Sequence, residues 1–237
     1  MSKTAAIIVA AGEGHRMGTS IAKQYLPIFS VPIIVHTLNF FENCAQIDEI
    51  ILVVKKDEVE KNRQEIVQQY GFKKIKSVVG GGHERQNSVF NGLKALLPGG
   101  QLVVVHDGVR PLLTETELDK VLEAGKLFGA ATLATPVKET IKEVDREGLV
   151  VKTLNRDNLW SIQTPQVFHW DILWPAMQKA MVCGFSANDE AGIVEWDGNK
   201  VKIVQGNYDN IKITTPDDLE RARLIMEIRK NESRNRV

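Results

Sequence analysis

The sequence predicts an α/β protein built on a doubly wound, mostly parallel sheet with one β-hairpin inserted into it. Three observations predict this. Short continuous apolar runs alternate with amphipathic segments of helical period, as expected of parallel strands covered by helices on both faces. The chain has 237 residues, 43% of them hydrophobic, enough to bury one sizeable core, so residues 1–237 are expected to form one domain. One stretch, residues 137–154, breaks the rhythm by alternating polar and apolar positions around a turn.

The expected strands are Thr4–Val9, Glu49–Val54, Ile75–Val79, Gln101–His106, Ala130–Thr135 and Val201–Val204. Helix ends punctuate the segments between them. Pro32 takes a first-turn position before the apolar residues 33–38, and Gly71 closes a helical segment that begins near Asp57. Thr114-Glu115-Thr116-Glu117 has capping-box spacing, and Gly129 ends that helix. Thr215-Pro216-Asp217-Asp218 opens a final helix with its acids near the positive end of the dipole. In the hairpin, residues 145–148 form the turn. A two-stranded ribbon is marginal alone and must pack on something, either another subunit or its own domain.

Composition excludes several classes. Thirty basic side chains balance thirty acidic ones and no long run of one sign occurs, which argues against nucleic acid or a membrane surface as partner and for a small-molecule ligand. The two cysteines, Cys44 and Cys183, are too few for a disulfide framework or a thiolate zinc site and are expected to be buried in a reducing compartment. The apolar run from Ala5 to Ala11 is followed by a glycine-rich charged segment and preceded only by Lys3, which is not a signal-peptide pattern. No run approaches the ~20 apolar residues of a membrane span. The expected location is the cytoplasm, with a plastid as the other origin if a transit peptide has been removed.

The chemistry-bearing segments follow the strands. After strand one come Ala10, Ala11, Gly12, Gly14, Arg16 and Gly18, with Lys23 beyond them. Small residues let backbone N–H groups approach phosphates. The Gly-x-Gly-x-x-x-Gly spacing is one residue too long for a dinucleotide fingerprint, Lys55-Lys56 stands where that motif needs an acid, and no Gly-Lys-Ser/Thr marks a Walker loop. What remains is a phosphate-sized loop with two cations, Arg16 and Lys23, suited to phosphoryl or nucleotidyl transfer. After strand four come His106, Asp107, Gly108 and Arg110. Asp107 could hold Mg²⁺ against substrate phosphates, and Arg110 could pair with a phosphate or orient Asp107. His106 reads as a packed strand residue. Gly80-Gly81-Gly82-His83 brings backbone near a flat ligand, with Ser88 in the helical turn beyond. Near the C-terminus, Lys212 could bind a phosphate and Asp209 a metal, or either could be a surface charge.

Together these segments resemble the 2-C-methyl-D-erythritol 4-phosphate cytidylyltransferases of the non-mevalonate isoprenoid pathway. The likeness runs over nearly the whole chain: Ala10 to Met17 with Lys23-Gln24-Tyr25; Gly81-Gly82 with Glu84-Arg85 and Ser88-Val89; and Val105-His106-Asp107 with Arg110-Pro111. It continues through Thr135 to Lys138 with Thr140, Asn155-Arg156 with Leu159-Trp160, Gln163 to Gln166, Asp189-Glu190-Ala191, and Asp209 to Lys212 with Thr214-Thr215-Pro216.

The resemblance implies a Rossmann-like fold of the nucleotide-diphospho-sugar transferase type. It also implies a reaction in which methylerythritol phosphate attacks the α-phosphorus of CTP and releases pyrophosphate. Arg16 and Lys23 would then stabilise the transition state, and Asp107 would help hold Mg²⁺. Ala10, Ala11, Gly12, Gly82, His83, Ser88 and Gly108 would lie on the nucleotide side, and Thr140, Arg156 and Lys212 would hold the acceptor phosphate with Arg110 close by. The hairpin arm would reach across a homodimer, so that Thr140 and Arg156 serve the neighbouring site. Gly108 stands where alanine is expected, Ala22 where proline is common, and His83 where aspartate is frequent. A ribitol 5-phosphate cytidylyltransferase is the nearest other enzyme, and a non-catalytic nucleotide-binding or dimerisation module is the reading from another class.

Overall fold

The computed structural model describes residues 3–12, 21–99 and 101–234. Their strands are β1 (Thr4–Val9), β2 (Pro27–Ile28), β3 (Val31–Pro32), β4 (Glu49–Val54), β5 (Ile75–Gly80), β6 (Leu102–Asp107), β7 (Ala130–Pro136), β8 (Lys142–Val144), β9 (Val150–Thr153), β10 (Trp160–His169) and β11 (Lys202–Gln205). The α-helices are α1 (Ile33–Asn43), α2 (Val59–Asn62), α3 (Arg85–Lys94), α4 (Glu115–Phe128), α5 (Trp170–Cys183), α6 (Glu190–Trp196) and α7 (Pro216–Arg234). The segment after Asp57 is less regular than its period suggests: α2 is one turn long and continues as a π-helix over Arg63–Gln68 before Gly71.

Seven strands form one sheet in the order β11-β7-β10-β6-β1-β4-β5. Every pairing is parallel except those of β10, which runs antiparallel between β6 and β7. The apolar runs read as continuous because both faces of the sheet are covered. On β1, Ala6 and Ile8 join Leu38, Leu118 and Val121 from α1 and α4, while Ala5 and Ile7 join Val89, Leu93, Leu173 and Met177 from α3 and α5. The period-two alternation of a strand is thus divided between two cores. A third, smaller core sets Ile213, Leu219 and Ala222 against Leu26, Ile28, Val109 and Leu112.

Thr114 and Glu117 make the expected capping box on α4, and Gly129 takes the left-handed conformation beyond its end. The expected hairpin is present: β8 pairs antiparallel with β9, and Asp145 closes the turn by accepting N–H bonds from Glu147 and Leu149. Its apolar side chains Val144, Leu149, Val150 and Val151 stay exposed. Of the cysteines, Cys44 is buried, but Cys183 is exposed at the last residue of α5, against the expectation that both lie inside.

Candidate functional site

Chain connections leave β1 towards β4 on one side of the sheet and place β6 on the other, so a crevice opens outside the carboxyl ends of β1 and β6. The loops there line a cleft of about 920 Å³. Ala10, Ala11 and Gly12 follow β1, Lys55 and Lys56 follow β4, Gly81 to Arg85 follow β5, and Asp107 ends β6. Lys23 and Lys212 enter from flanking segments.

Close approach between loops explains the small residues. A Cβ on Gly81 would stand 2.5 Å from the Ala11 methyl, so glycine is required where the two loops touch. A Cβ on Gly108 would meet Ile34 Cδ1 at 2.5 Å and the Ala10 methyl at 3.2 Å, which accounts for glycine where the family resemblance implies alanine. Ser88 is buried, and its hydroxyl accepts from the Gly82 N–H and donates to the Glu84 carbonyl, each at 3.1 Å. Its role in this structure is to set the glycine loop.

Asp107 is the electrostatic centre. Lys212 Nζ lies 2.9 Å from Oδ2, Arg85 Nε 3.2 Å from Oδ1, and Arg110 Nε 3.5 Å from Oδ2. Burial alone would raise this carboxyl, but Arg85, Lys212 and Arg110 overcome that and hold it far below the usual carboxylate range, so it is ionised. Arg85 in turn places Nη1 2.7 Å from both oxygens of Glu190, which has no exposed surface. Burial lifts the Glu190 carboxyl above its ordinary value, against the pull of Arg85.

His106 lies behind Asp107, fully buried beside Phe41. Its Nε2 is 3.1 Å from the Arg110 carbonyl, which can only accept, so we assign the proton to Nε2. Nδ1 then accepts from Thr164 Oγ1 at 3.0 Å, and that oxygen accepts from the Asp107 N–H at 3.1 Å. Burial pushes the imidazole down to about 4. It is a neutral structural residue, as the sequence suggested.

The structure gathers Ala10, Ala11, Gly12, Lys23, Gly82, His83, Ser88, Asp107 and Lys212 around one cleft. Arg16 lies outside the described residues. Three of the expected residues do not line the cleft. Arg110 does not line the cleft: it is buried below Asp107 and gives Nη1 to the Asn210 carbonyl at 2.7 Å, so it supports the carboxylate. Asp209 lies outside the cleft lining, with Arg229 Nη2 3.7 Å from its carboxylate. Gly108 is buried beneath the floor, where it meets Ile34 and Ala10. Thr140 and Arg156 are exposed near the hairpin and outside this chain's own cleft, where Arg156 Nη1 donates to the Lys138 carbonyl at 2.6 Å.

The residues that functional reading of the sequence missed are Arg85 and Glu190. They are 105 positions apart, and only folding reveals that they are partners. The available signal was a charged pair, Glu84-Arg85, one residue beyond three glycines.

Among the described residues no three histidine, cysteine or acidic side chains form a metal cluster. A magnesium ion usually takes only one or two carboxylates and completes its shell with phosphate and water, so a single ionised Asp107 in the cleft fits such an ion.

The model of the family described as 2-C-methyl-D-erythritol 4-phosphate cytidylyltransferase matches residues 4–228. Two proteins of that name, from Pelotomaculum thermopropionicum and Alkaliphilus oremlandii, are each 46% identical to the chain. The matches cover 97% of it and 96% and 98% of the relatives. The solved structure of 4-diphosphocytidyl-2C-methyl-D-erythritol synthase from Anaerococcus prevotii superposes with a TM-score of 0.83 at 36% identity, covering 95% of this chain and 96% of that one. The Francisella tularensis 2-C-methyl-D-erythritol 4-phosphate cytidylyltransferase gives 0.80 at 33%, over 93% and 98%. With its fold and nearly its whole length accounted for in this way, the chain belongs to the 2-C-methyl-D-erythritol 4-phosphate cytidylyltransferase (IspD) family.

Proposed function

We propose that the chain transfers CMP from CTP to 2-C-methyl-D-erythritol 4-phosphate. A phosphate oxygen of the acceptor forms a bond to the α-phosphorus of CTP, the bond from that phosphorus to the β-phosphate oxygen breaks, and pyrophosphate leaves. The observation that carries this reading is the ionised Asp107, framed by Arg85, Arg110 and Lys212 in a cleft that the glycine-rich loops and Lys23 also line. Such transfers need little from a protein beyond alignment and charge stabilisation. Glycine at 81 and 108 lets the backbone close up against Ala11 and Ala10 with no side chain between them, which keeps the nucleotide side of the cleft lined by backbone and small residues. Lys23 supplies positive charge to the crowded phosphorus, with Arg16 as its expected companion. Lys212, now paired with Asp107, is placed to turn to the acceptor phosphate. Asp107 would hold Mg²⁺, which when bound neutralises phosphate charge.

The hairpin completes the reading: Thr140 and Arg156 lie outside their own cleft and would serve that of a second subunit in a homodimer. The test is pyrophosphate release by purified protein with CTP, Mg²⁺ and either methylerythritol phosphate or ribitol 5-phosphate. Release with methylerythritol phosphate is expected. Release with ribitol phosphate alone would replace the acceptor, and release with neither would favour a binding module.

A further inference from the structure

Beside Asp107 stands a charged pair that the transfer chemistry does not use directly. Arg85 is the first residue of α3, immediately after the glycine loop, and three quarters of its side chain is covered. Glu190 is the first residue of α6 and is wholly covered. Full burial of a carboxylate costs several kcal/mol unless its charge is met. Here one nitrogen of Arg85 reaches both Glu190 oxygens at 2.7 Å while Nε of the same guanidinium reaches Asp107 at 3.2 Å.

The far end of this chain of contacts is rigidly held. Asp189 caps α6 through the Gly192 N–H at 2.9 Å and accepts from Gln166 Nε2 at 2.8 Å. Gln166 accepts the Ala191 N–H at 3.1 Å and lies in β10, the strand adjacent to Asp107's own β6. Bonds therefore run from the sheet through α6 to Glu190, on to Arg85, and back to the carboxylate at the end of β6.

We propose that Glu190 and Arg85 are a positioning pair for the transfer reaction. Glu190 holds Arg85, and Arg85 fixes Asp107 relative to the glycine loop, so that the carboxylate facing the metal–nucleotide and the loop facing the nucleotide keep one geometry. A pair serving stability alone would tie α3 to α6 and need go no further. This one extends to Asp107, and its Arg85 forms part of the cleft wall. The inference rests on the cytidylyltransferase reading of the cleft.

Glu190→Gln keeps the shape and removes the charge, whereas Glu190→Asp keeps the charge with a shorter reach. Each is compared with wild type by thermal midpoint, by calorimetric CTP binding over a range of Mg²⁺ concentrations, and by steady-state kinetics. For Glu190→Gln we expect the Mg²⁺ needed for half-maximal CTP binding to rise and kcat to fall, each by roughly 10- to 100-fold, the usual consequence of losing an outer-shell partner. The acceptor KM should change little, and Glu190→Asp should recover part of the loss. A Glu190→Gln protein with a lowered thermal midpoint but wild-type kcat and Mg²⁺ dependence would overturn the proposal and leave a structural ion pair. If that variant does not fold, Arg85→Lys carries the same test, because an ammonium cannot fork to both carboxylates. Wild type is assayed first and alone: failure to bind CTP would remove the reading of the cleft and the pair with it, an outcome distinct from a variant that matches an active wild type.

Discussion

Around Asp107, single side chains have been fixed in one charge state by their neighbours. His106 is held neutral, since burial favours the uncharged ring. Its folded value of about 4 lies below the ordinary 6.5, so the unfolded chain takes up the proton first as pH falls. The neutral ring's contribution is therefore complete above pH 6.5 and is lost as pH drops towards 4. That loss is on the order of 3 kcal/mol. Denaturant unfolding of wild type and of His106→Gln at pH 7.5, 5.5 and 4.5 checks this. The variant should be less stable at pH 7.5 but lose less on acidification, and parallel slopes would remove His106 from the acid response. At this scale the sequence was informative about residue type and poor at partnership. Asp107 and Lys212 could each be named from local pattern, yet their contact at 2.9 Å joins segments more than a hundred residues apart. For Arg110 the sequence left two roles open, pairing with a phosphate or orienting Asp107, and only its burial under Asp107 and its bond to Asn210, which no local spacing reveals, favour the second.

At the level of elements, strands with continuous apolar runs were legible almost residue for residue: β1 and β4 fall where the sequence places them. β10 was not. Its centre, Gln163-Thr164-Pro165-Gln166, is polar and contains proline, which argues against a central strand, and the pairing there shifts register between Ile162 and Gln166. It is a strand because distant groups satisfy it: Gln166 bonds Thr132, Asp189 and Ala191, and Asn210 donates to the Thr164 carbonyl. α4 shows the opposite case, where local signals suffice. Thr114→Ala should cost about 1 kcal/mol through loss of the cap. Gly125→Ala should cost more, about 1–3 kcal/mol, because the added methyl would stand 2.4 Å from Val167 Cγ1, where α4 presses on β10. Urea midpoints at unchanged slope measure both. Equal and negligible losses would mean that α4 packs more loosely than described.

For the whole molecule, the question is where one catalytic unit ends. The hairpin was readable from its alternation, but its partner was not, because Val144, Leu149, Val150 and Val151 stay exposed among the described residues. Under the shared-site proposal, a Lys23→Ala chain has a dead cleft and a sound arm, and an Arg156→Ala chain the reverse. Random pairing of equal amounts makes half of the dimers mixed, each with one intact site of two, so activity should return to roughly a quarter of wild type. No recovery, with subunit exchange demonstrated by labelled chains, would place the arm on its own domain.

The exposed ribbon has a further consequence, which concerns quantity. Under the shared-site proposal, a site completed by a neighbour exists only while two molecules remain together, so by mass action activity per milligram becomes a property of how concentrated the enzyme is. Diluting it should silence chemistry while every strand of the main sheet stays folded.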